Sequence, residues 1–125
     1  MEFHKHWTFQ ERSVDWAHKC FGPVIVNNTK ERGHRFLEEA VELFQSIGRP
    51  KEEALALVDY VYGRPVGDRQ QEIGGVMVTL AVLCAALGED MHELGDTELG
   101  RVIQKIDKIR ANHQAKIAIR PPTEI

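Results

Sequence analysis

Residues 73–88 of this chain, IGGVMVTLAVLCAALG, run without one charged side chain. The stretch is too long for an ordinary strand and falls short of the ~20 residues that span a bilayer. It therefore reads as a helix that is apolar on every side, and such a helix has to be covered all round. That requirement limits the chain to folds in which other elements pack about a central rod. Gly74 and Gly75, near the start of the run, each cost roughly 1 kcal/mol relative to alanine in a helix. The pair needs a reason, either the close approach of another helix or room for a ligand.

The rest of the sequence repeats its apolar residues at helical spacing. Thr8-Phe9-Gln10-Glu11 has the form of a capping box, predicting a first helix with Phe9, Ser13, Trp16, Ala17 and Cys20 on one face. Gly22-Pro23 predicts its end, and residues 24–28 a connector. A second helix is expected over residues 29–46, stopped by Gly48, and a third over 51–62, closed by Gly63-Arg64-Pro65. Asp68 to Gln71 reads as a second capping box opening the apolar helix, which Gly88 ends. Asp90 to Glu93 predicts a short capped turn before Gly95, and Asp96 the cap of a last helix with a seam of Leu99, Val102, Ile103, Ile106 and Ile109. Residues 1–6 and 115–125 read as loose ends. With no strand-like alternation, the expectation is a single all-α domain over residues 1–125, four-helix-bundle-like with extra short helices.

Composition narrows the partners. A formal net charge of -3 with mixed signs gives no electrostatic footprint for DNA or RNA. Cys20 and Cys84 lack metal or redox spacing and fall among apolar neighbours, as expected of reduced thiols in a cytoplasmic protein. MEFHKHW at the start carries no apolar signal region, and no membrane association is expected.

The chemistry concentrates in residues 35–45, RFLEEAVELFQ, where Glu38, Glu39 and Glu42 crowd barely more than one helical turn. Like charges at that spacing repel and favour a cation between them. The bland alternative is an acidic face turned to water. Glu39, however, borders the apolar stripe of Phe36, Leu37, Ala40 and Val41. Glu72 is the lone acid at the mouth of the apolar helix, so two helices would offer carboxylates inward, a recurrent way to build a metal site. Oxygen-only donors select hard cations, Mg²⁺ first and Mn²⁺ second. The histidines share no ligand spacing.

These positions resemble the MazG-like superfamily of all-α nucleoside triphosphate pyrophosphohydrolases. That family carries E-x-x-E on one helix and E-x-x-D on a later one, often with an extra Glu before the first. Glu38-Glu39-Ala40-Val41-Glu42 matches the first part, whereas Glu72-Ile73-Gly74-Gly75 has glycine in place of the Asp. Lys105-Ile106-Asp107 and Arg110 are similar to the family's phosphate-meeting segment, with Ile109 where an Asn is usual. The resemblance covers residues 32–113. It implies a MazG-type bundle that cleaves between the α- and β-phosphates of a nucleotide with Mg²⁺, as a homodimer or homotetramer. Glu39, Glu42 and Glu72 would be metal ligands, Glu38 the catalytic base or an alternate ligand, and Lys105 and Arg110 the phosphate partners. Asp59 or Asp90 would compensate for Gly75. The alternative is a non-catalytic helical oligomer, or a nucleotide-binding protein with a degenerate metal site.

Overall fold

Thr8 opens the first helix with a complete capping box: its hydroxyl accepts from the Glu11 N–H and its own N–H donates to the Glu11 carboxylate, each at 3.0 Å. Hydrogen bonds to that carboxyl from the Thr8 backbone N–H, chiefly, and from the Thr8 side chain hold it below the usual carboxylate range. In this computed structural model, which describes residues 6–119 and their side chains through 115, six helices follow one another and no strand occurs among the described residues. They are α1 (Phe9–Val26), α2 (Thr29–Ser46), α3 (Lys51–Tyr62), α4 (Arg69–Ala86), α5 (Met91–Ile103) and α6 (Ile106–Ile119). The chain is all-α. Loose ends were expected over residues 1–6 and 115–125; residues 1–5 and 120–125 lie outside the described part.

Several boundaries follow from single residues. Gly48 and Gly88 take the left-handed conformation, at φ +84° and +73°, and each terminates its helix in the same way. The Arg49 N–H donates to the Phe44 carbonyl and the Glu89 N–H to the Cys84 carbonyl, the long bond of a Schellman motif. Asp68 caps α4 by accepting from the Gln71 N–H at 2.9 Å, a one-sided cap rather than the expected box. Asn28 does the same for α2 through the Glu31 N–H at 3.1 Å.

The structure departs from expectation at three places. Gly22 does break α1, at φ 78° and ψ 167°, a region open essentially to glycine. Pro23 then starts a further turn that runs to Val26, because proline's fixed φ suits a first helical position. Gly95 does not end a short turn. Helix α5 passes through it, and a Cβ there would lie 3.3 Å from the Phe9 ring, so the glycine makes room for that ring. Asp96, expected as a cap, lies within α5 and pairs with Arg12 at 2.7 Å. The last helix breaks instead at Gln104 and Lys105, and α6 extends to Ile119 where a loose end was expected. The six elements have 12 to 18 residues, α1 counting the short turn from Pro23 to Val26 that follows the break at Gly22.

The chain divides into two compact units, Met1–Gly33 with His92–Ile125, and His34–Met91. In the first, Ala17, Cys20, Ile25 and Leu99 are buried. Phe21 packs edge-on against Trp16 and His113, at 5.8 and 5.1 Å between ring centres, and the Trp16 indole N–H donates to the Val102 carbonyl at 3.2 Å. That carbonyl also accepts from the Lys105 N–H. It is thereby tied up where the helix stops.

In the second unit α2, α3 and α4 bury no residue. Partial cover reaches Leu43, Phe44 and Ile47 at the end of α2, Ala54 early in α3, and Leu80, Leu83 and Cys84 late in α4.

Two helical glycines should respond oppositely. Nothing lies within 4 Å of a Cβ built on Gly100, so Gly100→Ala should raise stability by about 0.5–1 kcal/mol. Gly95→Val should lower it by about 1–3 kcal/mol through crowding of Phe9. Urea unfolding of the two variants checks both signs.

Candidate functional site

Helix α2 places Glu38, Glu39 and Glu42 at exposed positions. Glu38 is turned back along its own helix, where it accepts from Arg35 at 2.9 Å. Glu39 and Glu42 have neither hydrogen-bonding nor ionic side-chain partners among the described residues. They stand one turn apart beside Phe36, Leu37 and Val41, each about half exposed. The pair is thus an unneutralised acidic edge on an apolar stripe.

Glu72, in the first turn of α4, folds over the segment that precedes the helix. A Cβ on Gly67 would come within 2.8 Å of its carboxylate oxygen. A carboxylate there is stabilised by the unpaired N–H groups and positive end of the helix dipole, which is a structural use of the residue. Gly75, one turn on, faces open space. Asp59 lies exposed on α3, and Asp90 just ahead of α5.

No group of three or more His, Cys, Asp or Glu side chains that could hold a metal ion occurs among the described residues. The oxygen donors match Mg²⁺ or Mn²⁺ in kind, and Glu39 and Glu42, one turn apart on α2, would offer such a cation two carboxylates, with water or phosphate oxygens at its other positions.

Lys105 and Arg110 belong to the other unit. Lys105 sits in the turn between α5 and α6, and it adds a small pull on Glu98, whose carboxyl is held low mainly by its hydrogen bond to Arg101. Arg110 has a defined task. Its guanidinium donates from Nε and Nη2 to the Lys19 carbonyl, at 2.9 and 2.6 Å. That carbonyl lies four residues before Pro23, which has no N–H to give it, and Arg110 supplies the missing donors. The same guanidinium opposes the effect of burial, which pushes the Cys20 thiol up. This role escaped the sequence reading, although a proline inside a helix announces an unpaired carbonyl four residues earlier.

Trp7, unexplained in the sequence, lines an open groove of about 640 Å³ along the start of α1 with Glu11, Val14, Asp15 and His18. None of the expected site residues reaches it. No protein-family model, curated protein or solved structure matches this chain.

Arg110→Ala should lower stability by about 1–2 kcal/mol, the range for a charge-assisted hydrogen bond open to water. Arg110→Lys should restore only part of that, since a point charge does not reproduce the two-pronged donor. Thermal unfolding at constant protein concentration measures both.

Proposed function

We propose that this chain is a nucleotide pyrophosphohydrolase of the MazG-like kind, working with Mg²⁺ or, alternatively, Mn²⁺. Its substrate would be a nucleoside triphosphate or related nucleotide, cleaved between the α- and β-phosphates. The observation that carries the reading is the acidic edge on α2. Glu39 and Glu42 are exposed, unpaired and one turn apart, within a motif that resembles that family's first metal-binding element.

Charge supports the cation. A polyphosphate brought to two free carboxylates on a chain of net charge -3 is repelled by them until a divalent ion lies between. The reaction joins a water oxygen to phosphorus and breaks that phosphorus from the bridging oxygen, which leaves on the other product. Cys20 and Cys84 are free thiols, in keeping with a cytoplasmic setting. No single helix among the described residues is long and apolar enough to cross a membrane.

A second reading, a helical assembly protein with a degenerate site, is favoured by Gly75 and by the lack of a three-carboxylate group among the described residues. The two readings part on one measurement. Incubated with canonical and modified nucleoside triphosphates, the chain should release pyrophosphate only when Mg²⁺ or Mn²⁺ is present. Glu39→Ala and Glu42→Ala should each reduce the rate at least about 100-fold, the scale of several kcal/mol of charge stabilisation. A chain that yields no pyrophosphate from the panel, and whose melting temperature ignores Mg²⁺, is the assembly protein.

Gly75→Asp meets no neighbour and returns a carboxylate one turn from Glu72. Calorimetry should show tighter Mg²⁺ binding in that variant.

A further inference from the structure

We propose that the groove along the start of α1 binds an aliphatic polyamine, a flexible cation with apolar stretches between its charges. The inference stands on the residues that line the groove and does not rest on the nucleotide reading.

Helical spacing brings the lining together. Glu11, Val14, Asp15 and His18 recur at steps of three and four along α1 and so share one face of it. Trp7, just ahead of the Thr8 cap, joins them. The groove lies wholly within the first unit, and its volume of about 640 Å³ falls inside the range of roughly 300–1,000 Å³ for small-molecule sites. Trp7 is 38 % and Val14 41 % exposed, which leaves apolar surface for a ligand to cover.

Charge then decides the occupant. Glu11 and Asp15 are four apart, and like charges at that spacing repel across one turn. Each carboxylate commits one oxygen inside the protein. Glu11 Oε1 accepts from the Thr8 N–H at 3.0 Å, and Asp15 Oδ2 pairs with Lys19 at 2.8 Å. An ionised carboxylate has about four acceptor sites, so both retain room for a further donor. The hydrogen bonds from Thr8 keep the Glu11 carboxyl below the usual carboxylate range, and its bond at the Thr8 N–H offsets the positive end of the helix. Among the described residues no lysine or arginine lines the groove. Arg12, next to Glu11 in sequence, is committed to Asp96 at 2.7 Å and lies over the Phe9 ring. The groove therefore repels anions and favours a cation.

The apolar lining selects among cations. A hydrated Mg²⁺ gives up its water reluctantly and gains nothing from a valine. An organic ammonium is attracted to the face of a tryptophan, the best of the aromatic partners for it. A polyamine uses both kinds of surface. Its ammonium groups donate to Glu11 and Asp15, whose Cβ atoms stand about 5–6 Å apart on the helix, while the methylenes between them cover Val14 and Trp7.

Calorimetry on the full chain should show spermidine binding that weakens as salt is added. Asp15→Asn should lower the affinity at least about tenfold, a 1.4 kcal/mol change. Trp7→Leu should lower it by a similar factor, whereas Trp7→Phe should keep part of it, because the weaker aromatic still presents a ring face. The control Glu98→Gln, at an exposed carboxylate of α5 paired with Arg101, should bind as the wild type does. Octanediol, a neutral chain of similar length, should not displace spermidine from the wild type, and this comparison decides even if a variant fails to fold. No heat with millimolar spermidine, equal affinity in Asp15→Asn, or displacement by octanediol would each overturn the proposal. So would binding that survives Asp15→Asn and is lost in Glu39→Ala, which would put the polyamine on the acidic edge of α2.

Discussion

Water on the apolar sides of α2, α3 and α4 is the condition under which everything else in this molecule has to be understood. Roughly 1,000 Å² of such surface, at about 25 cal/mol per Å², is worth on the order of 25 kcal/mol, more than the 5–15 kcal/mol by which a domain is ordinarily stable. Residues 73–88 are free of charge, yet Val78 and Val82 are each 64 % exposed. The charge-free run that restricts the fold also restricts what the chain does when alone.

The other unit solves a different problem, that of backbone groups without partners. Pro23 removes the N–H that would serve the Lys19 carbonyl, and Arg110 provides two donors in its place. The Trp16 indole takes the Val102 carbonyl where α5 gives way to α6. Arg12 joins α1 to α5 through Asp96. Each tie crosses between elements far apart in sequence, and together they frame the small core around Cys20 and Leu99. Arg110 is thus already engaged at the Lys19 carbonyl.

What the sequence made legible was local. Gly48, Pro50, Asp68 and Gly88 mark the limits of α2, α3 and α4 because each acts on its own turn of backbone. The limits of α5 were not legible in the same way. Gly95 looks like a stop but serves as space for Phe9, and the break at Gln104 and Lys105 coincides with a bond from Trp16, 86 residues away from its acceptor. The candidate site divides along the same line. Glu38, Glu39 and Glu42 fall on one helix as their spacing required, whereas the meeting of Glu72 with them depends on how helices are placed, which spacing does not fix. Glu38 turns to Arg35, and Glu72 to the backbone near Gly67.

If the chain forms the homodimer or homotetramer that the resemblance implies, and covers its central helices there, folding and association are one equilibrium, and the melting temperature must depend on protein concentration. Thermal unfolding followed by circular dichroism over a hundredfold range of concentration tests this most directly. The account predicts a melting temperature that climbs steadily with the logarithm of concentration. A transition that stays at one temperature across the range, in protein that sediments as a single chain, would contradict it.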